Sequence, residues 1–219
     1  MAQGAMHQPG DRAHITYDDF LDWADEDTLA EWVDGQVIMT SPANRRHQDI
    51  ARFLLMTLSS FVDVHGLGTV LGPPFQMKLS RSGREPDVLY IATTHLDRLQ
   101  ETYLAGPADL VVEIVSPESS HRDRVVKFDE YQEAGIPEYW LVDPDMPSAD
   151  FYQLDARGHY HLVAPDSDGM YRSQVLPGFW LRVTWLWQQP LPDPVRVLLQ
   201  IDRDAYARYL QEQLRQEGL

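Results

Sequence analysis

The sequence contains no cysteine, so disulfide bonds and thiolate metal sites are excluded. Lysine is almost as scarce, since Lys78 and Lys127 are the only two among 219 residues. No uninterrupted apolar run approaches the roughly 20 residues that a membrane-spanning helix needs. Residues 1–14 also lack the apolar core of a secretory signal and are expected to form a disordered arm. We therefore expect a soluble, cytoplasmic protein with no membrane partner.

Basic residues are also few relative to acidic ones, 18 against 34, which gives a formal net charge of −16 at pH 7. The acidic excess lies in residues 1–44 and 128–219, whereas residues 45–127 contain ten basic and ten acidic side chains. A local basic surface in this middle section is compatible with phosphate binding next to a metal ion; solvated surface arginines are the alternative. Its basic residues include Arg45, Arg46, Arg52, Lys78, Arg81, Arg84, Arg122, Arg124 and Lys127.

Alternating helix and strand patterns between residues 44 and 144 predict an α/β fold. The segment 44–65 has the apolar spacing of a long helix, with Asn44 as its expected N-cap. Three later runs, PDVLYIA, DLVVEIVS and PEYWLVDP, are typical of strands that are apolar along their length and covered on both faces. A helical pattern in DRVVKFDEYQEAG, with Val125, Phe128 and Tyr131 on its apolar side, separates the last two runs.

Turn signals predict a hairpin before this section and a meander after it. Asp34-Gly35 joins two β-rich runs, as in a two-residue hairpin. Short strand patterns after residue 144 are separated by glycine-containing turns, which is typical of a meander. We therefore expect one domain over 15–190, with an N-terminal hairpin and a C-terminal β-meander, followed by a helical tail over 191–219.

Two carboxylates interrupt the apolar strand patterns, Asp87 in EPDVLYI and Glu113 in LVVEIVS. Burying an unpaired carboxylate is costly, and two carboxylates side by side resist ionising together. A divalent cation would offset both the burial cost and the mutual repulsion, since Mg²⁺ takes one or two carboxylates and keeps positions open for water and phosphate. Lys127 lies 14 residues after Glu113 on the following helix. There it would orient an attacking water or neutralise transition-state charge, the alternative being an ordinary surface lysine.

The section 84–144 resembles the Uma-two family of endonuclease-like proteins, which is placed in the restriction-endonuclease-like PD-(D/E)XK superfamily. It contains a Pro-Asp pair, an E-[VI]-x-S-P segment, a Lys with a Tyr four residues later, and a G-[VI]-x-E-Y-W-x-V-D-P segment. The opening section VDGQVIMTSPANRRHQDI resembles that of the family as well. The resemblance extends over roughly residues 15–190 and implies a mixed central β-sheet flanked by helices.

The resemblance also implies a Mg²⁺ or Mn²⁺ site and a set of residues for it. Asp87 and Glu113 are carried over as metal ligands, with the backbone carbonyl of Ile114 as a third. The usual superfamily pattern has a lysine two residues after the acid, where this sequence has Val115. In this family the lysine is thought to come from the following helix, which matches Lys127.

Three further residues have two interpretations each. Glu31, from the N-terminal part, would reach the metal directly or through water, or is an exposed strand carboxylate. His47, in the first turn of the long helix, would contact phosphate or shuttle a proton, or is polar surface. Glu138 faces either the site or the preceding helix.

The most consistent interpretation is a metal-dependent endonuclease that hydrolyses DNA phosphodiester bonds and acts as a homodimer. Its site residues are then Asp87, Glu113, Lys127, Glu31 and His47. The alternative is a non-catalytic nucleic-acid- or protein-binding module that retains the nuclease fold. Glycosidases also use two carboxylates, but a helix lysine and a Pro-Asp strand fit phosphodiester hydrolysis better.

Overall fold

The computed structural model describes residues 14–25 and 28–216, so the arm expected at 1–14 lies, except for its last residue, outside the described residues. Within that part the α-helices are α1 (Tyr17–Trp23), α2 (Arg45–His65), α3 (Phe128–Glu133) and α4 (Pro194–Gln216). Helix α4 lies in the segment 191–219 that the sequence analysis expects to be helical, and it is kinked at Asp202. No helix in the described ranges is long and apolar enough to cross a membrane.

The strands follow one another in short segments. They are β1 (Ala30–Val33), β2 (Gln36–Met39), β3 (Gly68–Leu71), β4 (Gln76–Lys78), β5 (Ser82–Arg84), β6 (Val88–Ala92), β7 (Tyr103–Ala105), β8 (Leu110–Ile114), β9 (Glu138–Asp143), β10 (Ser148–Leu154), β11 (Tyr160–Leu162), β12 (Met170–Arg172) and β13 (Trp180–Arg182). Two 3₁₀ segments lie at Thr93–Arg98 and Val183–Trp187, and a π-helical turn spans Arg122–Lys127.

The strands form two mixed sheets and one two-stranded ribbon. The central sheet has the order β11-β10-β9-β8-β6-β3, with β8 parallel to β9 and the other neighbours antiparallel. A second sheet has the order β2-β1-β5-β4-β7, and β12 pairs with β13. The predicted α/β fold, a mixed central sheet flanked by helices, is confirmed.

The hairpin and the meander both form, with one difference in the meander. Asp34 and Gly35 have φ values of 49° and 79°, the pair of positive angles that a two-residue I′ hairpin turn requires. Strands β9, β10 and β11 are consecutive antiparallel neighbours, which is a meander. Strand β12 does not continue it, because it pairs with the aromatic segment of β13 instead.

The central strands β6 and β8 are covered on both faces, as their continuous apolar character predicts. Alternate residues of each strand belong to different cores, so that Val112 and Ile114 pack with α2 and α4, while Val111 and Val115 pack with Tyr131 and the second sheet. By strand alternation Glu113 shares the face of Val111 and Val115. It therefore lies between the two sheets rather than under α2.

Helix α2 places its first turn at the end of these strands. The Asn44 side chain caps the helix by accepting a hydrogen bond from the backbone N–H of His47 at 2.9 Å. Its apolar stripe packs on the central sheet, and Gly66 ends it in a left-handed conformation with φ of 61°. His47 is thereby held at one rim of the sheet.

Glu138 faces neither the candidate site nor the preceding helix, so both sequence-based interpretations of it are wrong. The buried carboxylate accepts hydrogen bonds from Trp140 Nε1 (2.6 Å), Tyr171 OH (2.7 Å) and Ser173 Oγ (3.0 Å). The backbone N–H groups of Gln174 and Val175 donate to it as well. These donors lie 33 to 37 residues further along the chain, apart from Trp140, and the sequence contains no local signal for them.

We expect Glu138→Ala to lower the free energy of unfolding by roughly 3 kcal/mol, because several buried donors lose their acceptor. Urea denaturation measures this loss. Glu133→Ala, at an exposed glutamate of α3, is the matched control and should change stability by less than about 0.5 kcal/mol. Equal stability of the two variants would contradict a structural role for Glu138.

Candidate functional site

Asp87 and Glu113 meet at one end of the central sheet. Antiparallel β6 and β8 pair Val88 with Val112, so Asp87 and Glu113 are the next residues of the two strands in that register. Both residues line a cleft of about 780 Å³ that also includes the hairpin, the first turn of α2 and the segment after β8. Two segments that are distant in sequence therefore bring their carboxylates together.

Asp87 is held by hydrogen bonds to one of its two oxygens. Its Oδ2 accepts from the backbone N–H of Ile114 at 2.7 Å and lies 3.3 Å from Nε2 of His47. Its Oδ1 accepts no hydrogen bond from the part of the chain that the structure describes. The carboxylate is thus fixed in orientation while one oxygen remains available in the cleft.

Glu113 is 4% exposed and uses one oxygen in the same way. Its Oε1 accepts hydrogen bonds from Lys127 Nζ (2.8 Å) and Tyr131 OH (2.7 Å). Burial raises the pKa of the Glu113 carboxyl above its ordinary value, against the opposing charge of Lys127. Among the described residues none donates to Oε2, so Glu113 and Asp87 each have one uncommitted oxygen.

Lys127 is not a surface lysine, since only 3% of it is exposed. Its Nζ lies 2.8 Å from Glu113 Oε1, 3.0 Å from Glu31 Oε1 and 3.8 Å from Asp123 Oδ1. Burial alone would lower the pKa of Lys127, but these carboxylates outweigh it and raise the pKa above its ordinary value. The ammonium is therefore charged and surrounded by acids.

Glu31 is not an exposed strand carboxylate, because only 1% of it is exposed. Its Oε2 accepts from Arg84 Nη1 at 3.0 Å, and its Oε1 lies beside Lys127. Burial would raise the pKa of Glu31, but Lys127 and Arg84 lower it to about 2. Arg84 also donates to Glu130 of α3 at 2.9 and 2.6 Å, so it anchors Glu31 to the helix.

His47 is buried beside Asp87 rather than lying on the surface. Burial acts to lower its pKa, but the hydrogen bond to Asp87 and the backbone carbonyl of Ile114 raise it above the ordinary value. No described residue pairs with its Nδ1. The contact favours Nε2–H donating to Asp87, which gives the histidine a partner that its sequence position did not reveal.

Lys127 points inward because it lies four residues before the buried Tyr131, on the same face of the helix. The sequence pattern groups Val125 with Phe128 and Tyr131 on the apolar side, but Val125 and Val126 are exposed. Asp123 and Lys127, four residues apart in the π-helical turn Arg122–Lys127, are buried instead. The expected apolar side for Val125 is therefore wrong.

Sequence reasoning missed two acidic residues of the cleft, Asp123 and Glu85. Asp123 is buried, its Oδ1 has no hydrogen-bond partner in the described ranges, and burial raises its pKa. Burial, followed by the charge of Glu31, raises the pKa of Glu85 to about 7. The spacing of both residues could have revealed them. Asp123 is four residues before Lys127, on the same helix face, and Glu85 is two residues before Asp87, on the same side of an extended segment.

The residues present are compatible with a hard divalent cation. Within residues 14–25 and 28–216 no group of three or more His, Asp or Glu side chains is arranged to hold a metal ion by side chains alone. Mg²⁺, however, commonly takes one or two carboxylates and otherwise water or substrate oxygens. The uncommitted oxygens of Asp87 and Glu113 and the nearby carbonyl of Ile114 provide that donor chemistry, with all three residues lining the cleft.

Comparison with known proteins agrees with the class that this fold and cleft define, which is a nuclease-like α/β protein. A family model described as "Putative restriction endonuclease", named Uma2, matches residues 17–184. The chain belongs to this family, which confirms the resemblance drawn from the sequence.

One solved structure supports the fold. It is titled as a putative nuclease belonging to DUF820 from Anabaena variabilis ATCC 29413, with a TM-score of 0.66 and 18% identity. The match covers 79% of this chain and 97% of that one. At this identity the likeness shows the fold alone. No curated protein matches the sequence.

Replacing the central ammonium tests the electrostatic arrangement of the cleft. We expect Lys127→Met to lower the free energy of unfolding by about 3–5 kcal/mol, because buried carboxylates lose their counter-charge. The control is Lys78→Met, at a lysine that lies 4.4 Å and 4.1 Å over the Tyr17 and Trp32 rings, and it should cost about 1 kcal/mol or less. Chemical denaturation of both variants gives the comparison, and similar losses would contradict the arrangement.

Proposed function

We propose that this member of the Uma2 family is a metal-dependent endonuclease that hydrolyses DNA phosphodiester bonds with Mg²⁺ or Mn²⁺. The observation that carries the proposal is the meeting of Asp87 and Glu113 in one cleft, each with a fixed and an uncommitted oxygen. Membership of a family described as restriction endonucleases supports the reaction class.

In this proposal Asp87, Glu113 and the carbonyl of Ile114 hold the divalent cation. When bound, such a cation stabilises negative charge on the phosphate and lowers the pKa of water. The hydrogen bonds to Asp87 Oδ2 and Glu113 Oε1 orient both carboxylates before any ligand arrives, which removes a reorganisation cost.

His47, Lys127 and Glu31 act on these carboxylates. His47 donates from Nε2 to Asp87 and so directs its free oxygen into the cleft. Lys127 fixes Glu113 and balances the charge of the buried acids. Glu31, held by Arg84, places Lys127 between the two sheets rather than contacting the cation itself.

The rival function is a binding module that retains the fold without catalysis. It is favoured by the surroundings of Lys127, whose Nζ is buried between Glu113 and Glu31, unlike a lysine that contacts a substrate. The rival and the enzyme differ in one observable: only the enzyme cleaves the DNA that it binds together with a metal ion.

Cytoplasmic location, homodimer formation and the boundaries 15–190 and 191–219 stay predictions.

Calorimetric titration with Mn²⁺ tests the proposed metal site. The wild type should bind the ion, and Asp87→Ala and Glu113→Ala should each weaken binding by about tenfold or more. Glu118→Ala is the control, because Glu118 lines the same cleft but is exposed. A wild type that binds no divalent ion at millimolar concentration would refute the metal site.

Plasmid nicking in Mg²⁺ or Mn²⁺ tests the reaction. We expect nicking by the wild type and a loss of about 100-fold or more in Glu113→Ala, since transition-state stabilisation is removed. Nicking that survives in Glu113→Ala would come from another site. A wild type that binds Mn²⁺ and DNA but leaves the plasmid intact would establish the binding module.

A further inference from the structure

Arg122 is a mostly covered arginine that makes no hydrogen bond with the described part of the chain. Its side chain is 28% exposed and lines the cleft. Its Nε is buried and unpaired, and the nearest recorded carboxylate oxygen, Asp123 Oδ1, lies 3.9 Å away, beyond hydrogen-bonding distance. Asp123 Oδ1 is unpaired too, so the two groups do not satisfy each other.

Unpaired buried donors are rare in folded proteins, so each of them indicates a ligand or needs another explanation. The other strong cations of this region are already occupied. Lys127 Nζ lies within 3.0 Å of Glu31 and Glu113, and Arg84 donates to Glu31 and Glu130. Arg122 therefore carries the cleft's one guanidinium, among the described residues, whose donors are free.

The surroundings indicate which ligand such a guanidinium takes. Arginine presents donors in a planar fork that matches the oxygens of a phosphate. Its charge reaches the reacting end of the cleft, because Arg122 contributes to lowering the pKa values of Glu31 and Asp123. A cleft rich in carboxylates needs a cation of this kind if an anionic substrate is to enter it.

We propose that Arg122 is the phosphate-binding residue of the cleft and donates to a non-bridging oxygen of the substrate phosphodiester. The proposal rests on the proposed function for its substrate class. It gives the two cations that line the cleft different tasks. Lys127 positions Glu113 inside the protein, and Arg122 contacts the substrate from the cleft wall.

Binding of a fluorescein-labelled DNA duplex, measured by anisotropy in Ca²⁺ over a range of salt concentrations, tests the assignment. We expect Arg122→Ala to weaken binding by about tenfold and to reduce the salt slope by about 1. Arg122→Lys should recover part of the affinity, since it retains the charge but not the fork. Arg208→Ala is the control, as it removes the same charge from an exposed position of α4.

Thermal unfolding separates this role from a structural one. Arg122→Ala breaks no hydrogen bond within the described residues, so its melting temperature should fall much less than that of Lys127→Met. A melting temperature that falls as it does in Lys127→Met would make Arg122 structural and overturn the proposal. An affinity and salt slope equal to those of Arg208→Ala would overturn it as well.

Chemical modification distinguishes failure of this proposal from failure of the nuclease. Phenylglyoxal should modify Arg122 of the wild type more slowly when inorganic phosphate is present, as followed by mass spectrometry, with Arg208 unaffected. Protection of Arg122 in a protein that binds no divalent ion would support the phosphate site and refute the nuclease. Metal binding and DNA cleavage without protection would refute the phosphate site alone.

Discussion

The contact of one ammonium with three carboxylates holds the two sheets of this protein together at the cleft. Lys127 contacts Glu31 of the second sheet and Glu113 of the central sheet, and it also lies near Asp123 of its own π-helical turn. Arg84 extends the network to α3 through Glu130. Because buried charges are tolerated only when they are paired, the cleft depends on the whole group folding as a unit.

Much of this arrangement follows from patterns that are local in sequence. Asp87 and Glu113 could be singled out because a carboxylate in an apolar strand pattern is conspicuous, and the capped helix α2 has a clear period. The inward direction of Lys127 is one of two interpretations that the sequence leaves open, because an apolar side through Val125 cannot be distinguished from one through Lys127 and Tyr131. The surroundings of Glu138 are donors from a distant segment, and no short-range rule brings them together.

The structure also changes how the charge distribution along the sequence is interpreted. The middle section of the sequence is balanced in charge, but several of its cations are already paired with other groups of the protein. Arg46 donates to the carbonyls of Leu186 and Gln188, and Arg124 pairs with Asp143 and Asp150. With a net charge of −16, long-range attraction to a nucleic acid is weak. Recognition would then depend on contacts made inside the cleft.

The π-helical turn makes chain length itself a requirement at this site. Removing one residue between Asp123 and Lys127 would restore an α-helical turn without changing a single contacting residue type. Each residue in an α-helix adds about 100° of rotation, so Asp123 would move away from the ammonium of Lys127. A deletion that a surface helix tolerates would here remove one of the three acids around the ammonium, and an insertion in the same turn would be needed to restore it. Relatives of this protein can therefore be compared by the number of residues between the strand acid and the helix lysine as well as by their identity.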